Sequence, residues 1–341
     1  RSGLRTRLLC HCPVHGQTPM VHQGVIFLGL DAGGTACRWT AVDAGGQVVA
    51  QAQVAGFSGM NLASEAGRLQ LSQALGELES SLAPQLASSM VAGVYAGVTG
   101  VSEAQAAPSL ELAGMLARAL RAPAEKVQCH SDMDIAFRAA HEPGGGYLVY
   151  AGTGSIASYI DEAGVWHRAG GRGFVLGDEG GGYWIAKQAL ATIWRREDDW
   201  PGQWVESPMA RCLFARMGGT DWASTRQFIY GRDRGEVGRL ALAVAEAADL
   251  GDAEAASLLR RAGIEIGRLG AVLHRRFGPK PVVAAGRVLL LHPLVGQGVR
   301  AGLPAECPLE LKQIDPSMAA AQRARALWGV GSQGDSQEAR G

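Results

Sequence analysis

The chain has 341 residues, and its 32 lysines and arginines balance 32 aspartates and glutamates, so the formal net charge is zero. That length suffices for two domains with separate cores, and the balanced charge argues against a nucleic-acid-binding protein. No apolar run reaches the ~18 residues of a membrane span, and the six cysteines are scattered without a C-x-x-C pair. These features predict a cytoplasmic protein whose partners include neither nucleic acid nor a membrane.

Residues 1–24 contain no apolar segment of the kind that a signal peptide needs. Cys10, His11, Cys12 and His15 lie close together there, but their spacing matches no common zinc site. We therefore expect a disordered leader over residues 1–24, with Met20 as a candidate for the natural start of the protein.

The first ordered segment is a continuous apolar run over residues 25–30, which predicts a buried strand. It ends in Asp31, Gly33, Gly34 and Thr35. Glycines allow a sharp turn whose N–H groups approach an anion, a threonine hydroxyl can donate to a phosphate oxygen, and an aspartate can hold Mg²⁺ through water. Strands over 36–43 and 47–54 follow, joined by a hairpin turn. The alternative is an ordinary tight hairpin with a solvated aspartate.

A second copy of this plan begins 120 residues later, with a strand over 148–151 and another over 156–160. Between them lie four residues that repeat the glycine and hydroxyl pattern: Gly152, Thr153, Gly154 and Ser155. Two such units resemble the superfamily of sugar kinases, heat-shock ATPases and actin. The resemblance implies an α/β protein with the actin-like ATPase fold, in which two ribonuclease-H-like domains flank a nucleotide and sugar cleft.

The rest of the sequence predicts the other helices and strands of these two units. In the first, Asn61 begins a helix that runs to about residue 82, strands cover 90–98 and 127–131, and helices cover 104–120 and 136–140. In the second, helices cover 177–195, 209–217, 227–230 and 237–250, a long helix is capped by Asp252, and strands cover 281–285 and 308–314. We predict an N-terminal domain over 25–142, a C-terminal domain with a helical insert over 143–316, and a last helix over 317–330 that returns to the N-terminal domain.

Asp132 directly follows a predicted strand and lies between the two glycine-rich turns in sequence. A carboxylate at the carboxyl end of a strand faces the cleft of an open α/β sheet. There it could accept the proton of a sugar hydroxyl that attacks a γ-phosphate. The alternative is that Asp132 caps the following helix. Asp134 is a competing candidate, but it falls in the first helical turn, where acids complement the helix dipole.

Residues 169–184 hold seven glycines around Asp178 and Glu179. One of these acids could cap the following helix. So many glycines are costly in conformational entropy, and close contact between backbone and a polar ligand is the best reason for them.

This block resembles the G-G-W-G-x-x-x-G-D-E-G-S-x-x-W signature of the N-acetylglucosamine kinases in the BadF/BadG/BcrA/BcrD ATPase family, and the similarity covers residues 25–328. The resemblance implies that ATP and Mg²⁺ are bound, with Thr35 and Thr153 on the phosphates and Asp31 as the metal-linked acid. It implies sugar ligands at Asn61, Asp132, Gly171, Arg172, Gly173 and Asp178, with Asp132 as the base. It implies adenosine contacts at Gly251, Gly286 and Arg287.

Three departures from the family pattern stand out. Arg172 replaces a tryptophan, Gly181 replaces a serine, and residues 320–323 lack a Gly-Ala pair. If Arg172 points into the cleft, it favours a sugar that carries a carboxylate, such as N-acetylmuramate, over one with a free amine. If it points outward, it is a solvated surface residue.

The resemblance predicts an ATP-dependent kinase for the 6-hydroxyl of an amino sugar, first of all N-acetylglucosamine. Glucosamine, N-acetylmannosamine, N-acetylmuramate and glucose stay open as substrates, and so does a homodimer. The alternative is a non-kinase ATPase of the same family that activates a CoA-ester dehydratase or reductase. Such activators need cysteines beside the second phosphate loop, and here the nearest are Cys129 and Cys212, neither of which is placed that way.

Overall fold

The computed structural model of the chain describes residues 24–101 and 106–329. Residues 1–23 of the predicted leader, with Met20 and the four cysteines and histidines near it, lie outside the described residues, as do residues 104–105 of a predicted helix. The last residue assigned to the leader, Gly24, belongs to the first strand instead. None of the described helices is both long enough and apolar enough to cross a membrane.

The first sheet has five strands in the order β3-β2-β1-β4-β5. β1 pairs with β2 and β2 with β3 in antiparallel fashion, whereas β1, β4 and β5 are parallel. The strands are β1 (Gly24–Ala32), β2 (Ala36–Asp43), β3 (Val48–Ala55), β4 (Ser89–Val98) and β5 (Val127–Ser131). Each predicted strand of this sheet is confirmed to within about two residues.

The second sheet repeats the first. Its order is β10-β9-β6-β7-β8, with β6, β7 and β8 antiparallel and β6, β9 and β10 parallel. The strands are β6 (Tyr147–Ala151), β7 (Ser155–Ile160), β8 (Trp166–Gly170), β9 (Val282–Ala285) and β10 (Leu309–Leu311). The shared order confirms the predicted α/β fold with two ribonuclease-H-like sheets. β8 was not predicted, because its sequence shows no apolar alternation and its place is fixed by pairing with β7.

Helices cover the first sheet on both faces. Buried side chains of α1 (Glu65–Ser88) and α2 (Ala106–Ala119) form one core with the sheet, and α3 (Asp132–Ala140) and α11 (Pro316–Trp328) form a smaller core on the other face. α11 lies directly on β1, where any side chain at Gly29 would collide with the helix backbone at Ser317 and Ala321. The Thr40 and Ser317 hydroxyls share a buried hydrogen bond of 2.8 Å.

The other helices belong to the core of the second sheet. They are α4 (Gly182–Asp199), α5 (Pro208–Met217), α6 (Trp222–Gly231), α7 (Arg234–Gly238), α8 (Ala241–Asp249), α9 (Ala253–Phe277) and α10 (Pro293–Gly302). The predicted cap of α9 is confirmed, since the Asp252 Oδ1 accepts from the N–H groups of Glu254 and Ala255, each at 3.0 Å. The predicted helix over 237–250 is wrong as a single element, because α7 and α8 divide it, and α10 was missed.

Four predicted helix starts are also wrong. α6 begins at Trp222 rather than residue 227. Asn61 does not begin α1, because it lies in a 3₁₀ turn and the hydroxyl of Ser64 accepts from Gly67 N–H at 3.1 Å as the cap. α3 begins at Asp132 rather than residue 136, with Ser131 as its cap. α4 begins at Gly182 rather than residue 177, so neither Asp178 nor Glu179 caps it.

Candidate active site

A cleft with a cavity of about 490 Å³ lies between the two sheets. The turns that follow β1 and β6 open into it, as expected for two related units whose strand ends face each other. The first half of the chain contributes Asp31, Gly33, Gly34, Thr35, Thr99 and Asp132 to its lining. The second half contributes Gly152, Thr153, Gly182, Gly238, Arg239, Leu242 and Arg287.

The first turn is short and locally closed. Its Gly33 N–H donates to the Ala36 carbonyl oxygen at 2.9 Å. Neither Gly33 nor Gly34 has a positive φ, so the turn does not depend on a left-handed backbone at these two glycines. A Cβ at Gly34 would meet no protein atom within 4 Å and would enter open space in the cleft. The fold therefore tolerates a side chain at Gly34, and only a ligand in the cleft would exclude one.

Asp31 is the last charged residue of β1 and lies in an acidic surrounding. Burial, followed by the nearby Asp132 carboxylate, raises the pKa of Asp31 to about 6, against the opposing effect of Arg38. The Arg38 Nη1 lies 3.8 Å from the Asp31 Oδ2. Two close carboxylates of this kind are stabilised by a cation. Within the described ranges no three His, Cys, Asp or Glu side chains form a metal cage, which suits an ion held largely by phosphate oxygens and water.

Asp132 is held at the cleft by two hydroxyls. Thr99 Oγ1 donates to its Oδ2 at 2.6 Å, and Ser131 Oγ donates to its Oδ1 at 3.2 Å. The Thr99 N–H in turn donates to the Ala32 carbonyl oxygen at 2.9 Å, so this hydroxyl is anchored to the end of β1. The carboxylate is thus oriented, while each oxygen keeps a free lone pair for a further donor.

Asp134 occupies a different environment on the same helix. It is 4% exposed, and its Oδ1 accepts from Tyr95 Oη at 2.7 Å and from Arg138 Nε at 2.9 Å. The Asp134 carboxylate is therefore hydrogen-bonded to buried groups of the protein itself. Of the two competing acids, the structure places Asp132 in the cleft and Asp134 away from it.

The second turn is tied to the start of α4. Gly182 N–H donates to the Gly152 carbonyl oxygen at 2.9 Å, and Tyr183 N–H donates to the Thr153 carbonyl oxygen at 3.0 Å. Ser155 is buried, and its hydroxyl donates to the Glu179 carbonyl oxygen at 2.6 Å. Gly154 lies against the Asp178 carboxylate, which any side chain there would displace. Gly152 and Thr153 therefore face the cleft, whereas Gly154 and Ser155 shape the turn.

The glycine-rich loop between β8 and α4 has a left-handed backbone at several positions, and at Asp178 that conformation is strained. Gly171 and Gly173 have φ values of 62° and 81°, and Asp178, which is not a glycine, has a φ of 62°. Asp178 is 8% exposed, and burial raises its pKa, although Arg234 and the N–H groups of Gly173 and Ser155 act in the opposite direction. Arg172 is exposed, and it forms no hydrogen bond or ion pair with any described residue.

Several predicted site residues do not line the cleft: Asn61, Gly171, Arg172, Gly173, Asp178, Gly251 and Gly286. Asn61 Oδ1 accepts from Ser58 N–H at 2.8 Å, and its Nδ2 donates to Gln70 Oε1 at 3.3 Å. Gly251 has a φ of 86° and forms the turn between α8 and α9. Gly286 has a φ of 106° and packs on the Ala151 backbone, which brings the following Arg287 into the cleft.

Several cleft residues were not identified from the sequence. Thr99 directly follows the predicted strand over 90–98, and Arg239 and Leu242 reach the cleft through the packing of α7 and α8. Tyr150 is half-buried, and burial followed by the Asp31 charge raises its pKa, which puts it near the acidic end. The spacing of Gly235 and Gly238 is the one sequence signal that could have indicated that α7 and α8 line the cleft.

The sequence and the fold are similar to those of known proteins. The chain belongs to the BadF/BadG/BcrA/BcrD ATPase family, whose model matches residues 28–300. Its fold is shared with the crystal structure of a proposed N-acetylglucosamine kinase from Chromobacterium violaceum, at 24% identity and a TM-score of 0.66, over 89% of this chain and 99% of that one.

A proposed N-acetylglucosamine kinase from Porphyromonas gingivalis has a TM-score of 0.64 at 19% identity, over 88% of this chain and 99% of that one. A ROK family glucokinase from Streptomyces griseus, solved with glucose and AMPPNP, has a TM-score of 0.56 at 16% identity, over 88% and 99% of the two chains. At these identities the likeness establishes the fold of the chain.

Proposed function

We propose that this protein is an ATP-dependent sugar kinase that phosphorylates the 6-hydroxyl of an amino sugar, with N-acetylglucosamine as the first candidate. The observation that carries the proposal is the meeting of Asp132 with two glycine-threonine turns in one cleft. The family and the kinases that share the fold support it. A general base opposite two phosphate-binding turns is the arrangement that phosphoryl transfer to a hydroxyl requires.

The two turns would hold the phosphates of ATP from opposite sides. Thr35 and Thr153 each bring a hydroxyl donor to the cleft lining, and Gly33, Gly34 and Gly152 leave their backbone accessible there. Gly154 and Ser155 support this role through the shape of the second turn. Arg287 and Leu242 mark the wall on which we place the adenosine, with Gly286 positioning Arg287. The proposed adenosine contact at Gly251 is based on the family pattern alone.

Asp132 would act as the base. The sugar hydroxyl donates to this carboxylate, which takes its proton as the oxygen attacks phosphorus. Thr99 and Ser131 fix the carboxylate plane before substrate arrives, which lowers the entropic cost of reaching the reactive geometry. Because these two bonds do not exhaust the acceptor capacity of the oxygens, the hydroxyl of the sugar has room to bind.

Asp31 would hold Mg²⁺ through water. Bound there, the ion would neutralise phosphate charge, and it would also relieve the repulsion between Asp31 and Asp132. The Arg38 guanidinium, 3.8 Å from Asp31, is the protein cation nearest to this carboxylate among the ion pairs of the described residues.

The sugar would bind between Asn61 on the first half and the loop of Gly171, Arg172, Gly173 and Asp178 on the second. The Asn61 amide nitrogen carries two hydrogens and donates one of them to Gln70 Oε1 at 3.3 Å, so the other can serve a sugar hydroxyl. Asp178 is a buried acceptor beside the second turn. A set of hydrogen-bonding groups of this kind selects a polar substrate over an apolar one.

The non-kinase ATPase is less well supported by the structure. Cysteines that ligate a cluster between subunits must be accessible, but Cys37, Cys129, Cys212 and Cys307 are all buried. None of these four lines the cleft.

An ATP-consumption assay with Mg²⁺ and a panel of sugars tests the proposal. We expect ADP release that depends on N-acetylglucosamine and yields a 6-phosphate by NMR. The panel includes glucosamine, N-acetylmannosamine, N-acetylmuramate and glucose. ATP hydrolysis that is equal with and without every sugar, or an iron-containing protein with no phosphorylated product, contradicts the proposal.

A further inference from the structure

Two arginines from the second half of the chain line the cleft without a partner in the protein. Arg239 directly follows α7, and Arg287 lies two residues after the end of β9. Both are exposed, and neither guanidinium forms a hydrogen bond or an ion pair with any residue that the structure describes. Glu236, the acid of α7, is engaged elsewhere, because its Oε1 lies 3.6 Å from Arg232 Nη1. Both guanidinium groups are therefore available to a ligand.

Gly238 places Arg239 beside the second turn. A Cβ at Gly238 would lie 3.4 Å from Thr153 Cγ2, so the backbone just before Arg239 packs on the side chain whose hydroxyl lines the cleft. Gly286 packs instead on Ala151, before the turn begins. Of the two arginines, Arg239 is therefore the one that starts beside the Thr153 side chain.

The charges of the cleft lining are divided between the two halves of the chain. The acids, Asp31 and Asp132, both come from the first half. The described lining residues of the second half include Arg239 and Arg287 and no acid. A guanidinium binds phosphate oxygens through two parallel hydrogen bonds. The second half therefore favours the phosphate chain of a ligand, and the first half favours its cation.

We propose that Arg239 binds the β-phosphate of the nucleotide, beside the Thr153 hydroxyl. This inference rests on the proposed function, in which the cleft binds ATP. When the γ-phosphorus bonds to the sugar oxygen, its bond to the bridging oxygen breaks, and that electron pair stays on the β-phosphate of ADP. A guanidinium held at this position stabilises the charge of the leaving group. Arg287, which starts beside Ala151, remains on the adenosine side.

Titration calorimetry of the full chain with ADP and with AMP, both in Mg²⁺, tests the assignment, because the two ligands differ only in the β-phosphate. The variants are Arg239→Gln, which removes the charge, and Arg239→Lys, which keeps it. Arg226→Gln is the matched control, since Arg226 is exposed on α6, has no partner among the described residues and does not line the cleft.

We expect the Kd of ADP to rise about tenfold or more in Arg239→Gln, while the Kd of AMP changes less than about threefold. Arg239→Lys should recover most of the ADP affinity, because the charge is retained and only the fork of donors is lost. Added salt should weaken ADP binding less in Arg239→Gln than in the parent, because one charge contact fewer is screened. Arg226→Gln should match the parent in every measurement.

An unchanged Kd of ADP in Arg239→Gln, or an equal loss of affinity for ADP and AMP, would overturn the assignment of Arg239 to the β-phosphate. A parent chain that binds neither nucleotide would contradict the nucleotide site itself, and with it this assignment. Selective loss of ADP affinity in a chain that phosphorylates no sugar would support the contact at Arg239 and contradict the kinase, so the two failures are distinguishable.

Discussion

The two glycine-threonine turns occupy the same place in two sheets of identical order, and yet they are held in different ways. The first is closed within itself by Gly33 and Ala36, and Gly34 faces empty space. The second is bonded to the start of α4, and Gly181 packs beneath it. A duplicated topology thus contains one turn that only a ligand would constrain and one that the fold itself constrains. Substitutions in the first should report ligand binding, and substitutions around the second should report stability as well.

Asp132 and Asp134 on α3 differ in the same way, because Asp132 faces the cleft and Asp134 is held by the fold. Substituting these two acids should give the largest effects. Asp132→Asn should lower turnover by about 10²–10⁴, the usual contribution of a general base, while the melting temperature stays near that of the parent. Asp134→Asn should instead destabilise the chain by about 1–3 kcal/mol, because Tyr95 and Arg138 lose a buried charged acceptor.

Steady-state kinetics and thermal unfolding of both variants, measured side by side, check this. Loss of turnover in Asp134→Asn with unchanged stability, together with an active Asp132→Asn, would show that the roles of the two carboxylates are reversed.

Gly181→Ala tests the constrained turn. A Cβ at Gly181 would lie 2.7 Å from the Thr153 carbonyl oxygen and from Gly154 backbone atoms, so the turn must shift. We expect a loss of about 1–3 kcal/mol in the free energy of unfolding, as for other overpacked sites. Activity should fall with it, because Thr153 moves. Denaturant unfolding measures the change in the free energy of unfolding. An unchanged midpoint and slope would contradict the idea that the fold fixes this turn.

Gly34→Ala tests the other turn. Since the added methyl meets no protein atom within 4 Å, the free energy of unfolding should be unchanged. If phosphates approach the backbone there, the KM for ATP should rise by about tenfold, the effect of one lost contact. Gly76→Ala on the exposed face of α1 is a matched control with equally open space. A KM equal to that of the control variant would mean that no ligand approaches Gly34.

The contrast between the turns also separates what the sequence could predict from what it could not. Continuous apolar runs located β1 and β6, the strands that lead into the two turns, because buried strands need them. The cap of α1 was misplaced, since Asn61 and Ser64 are both good capping residues and only the position of Gly67 N–H decides between them.

For residues that reach the cleft through tertiary packing, the nearby Gly235 and Gly238 were the one local signal. Arg239 and Leu242 come from the junction of α7 and α8, which the alanine-rich pattern predicted as one continuous helix. The contacts that restrain Ser155 and Gly154 come from Glu179 and Asp178, more than twenty residues away. Hydroxyl and glycine spacing therefore indicated the turn but could not show which of its residues face the ligand.

Arg172→Trp carries the smallest expected effect, because Arg172 is exposed and has no partner among the described residues. Its neighbours Gly171 and Gly173 have left-handed backbones that define the loop without help from the arginine side chain. An arginine that points to solvent cannot select between N-acetylglucosamine and glucosamine, so we expect the ratio of kcat/KM for the two sugars to be the same in parent and variant. Asp178→Asn is the comparison, since Asp178 is buried beside the second turn and its loss should lower kcat/KM for both sugars. A narrower gap between the sugars in Arg172→Trp would instead show that the arginine turns into the cleft when the sugar binds, where its guanidinium disfavours a free amine.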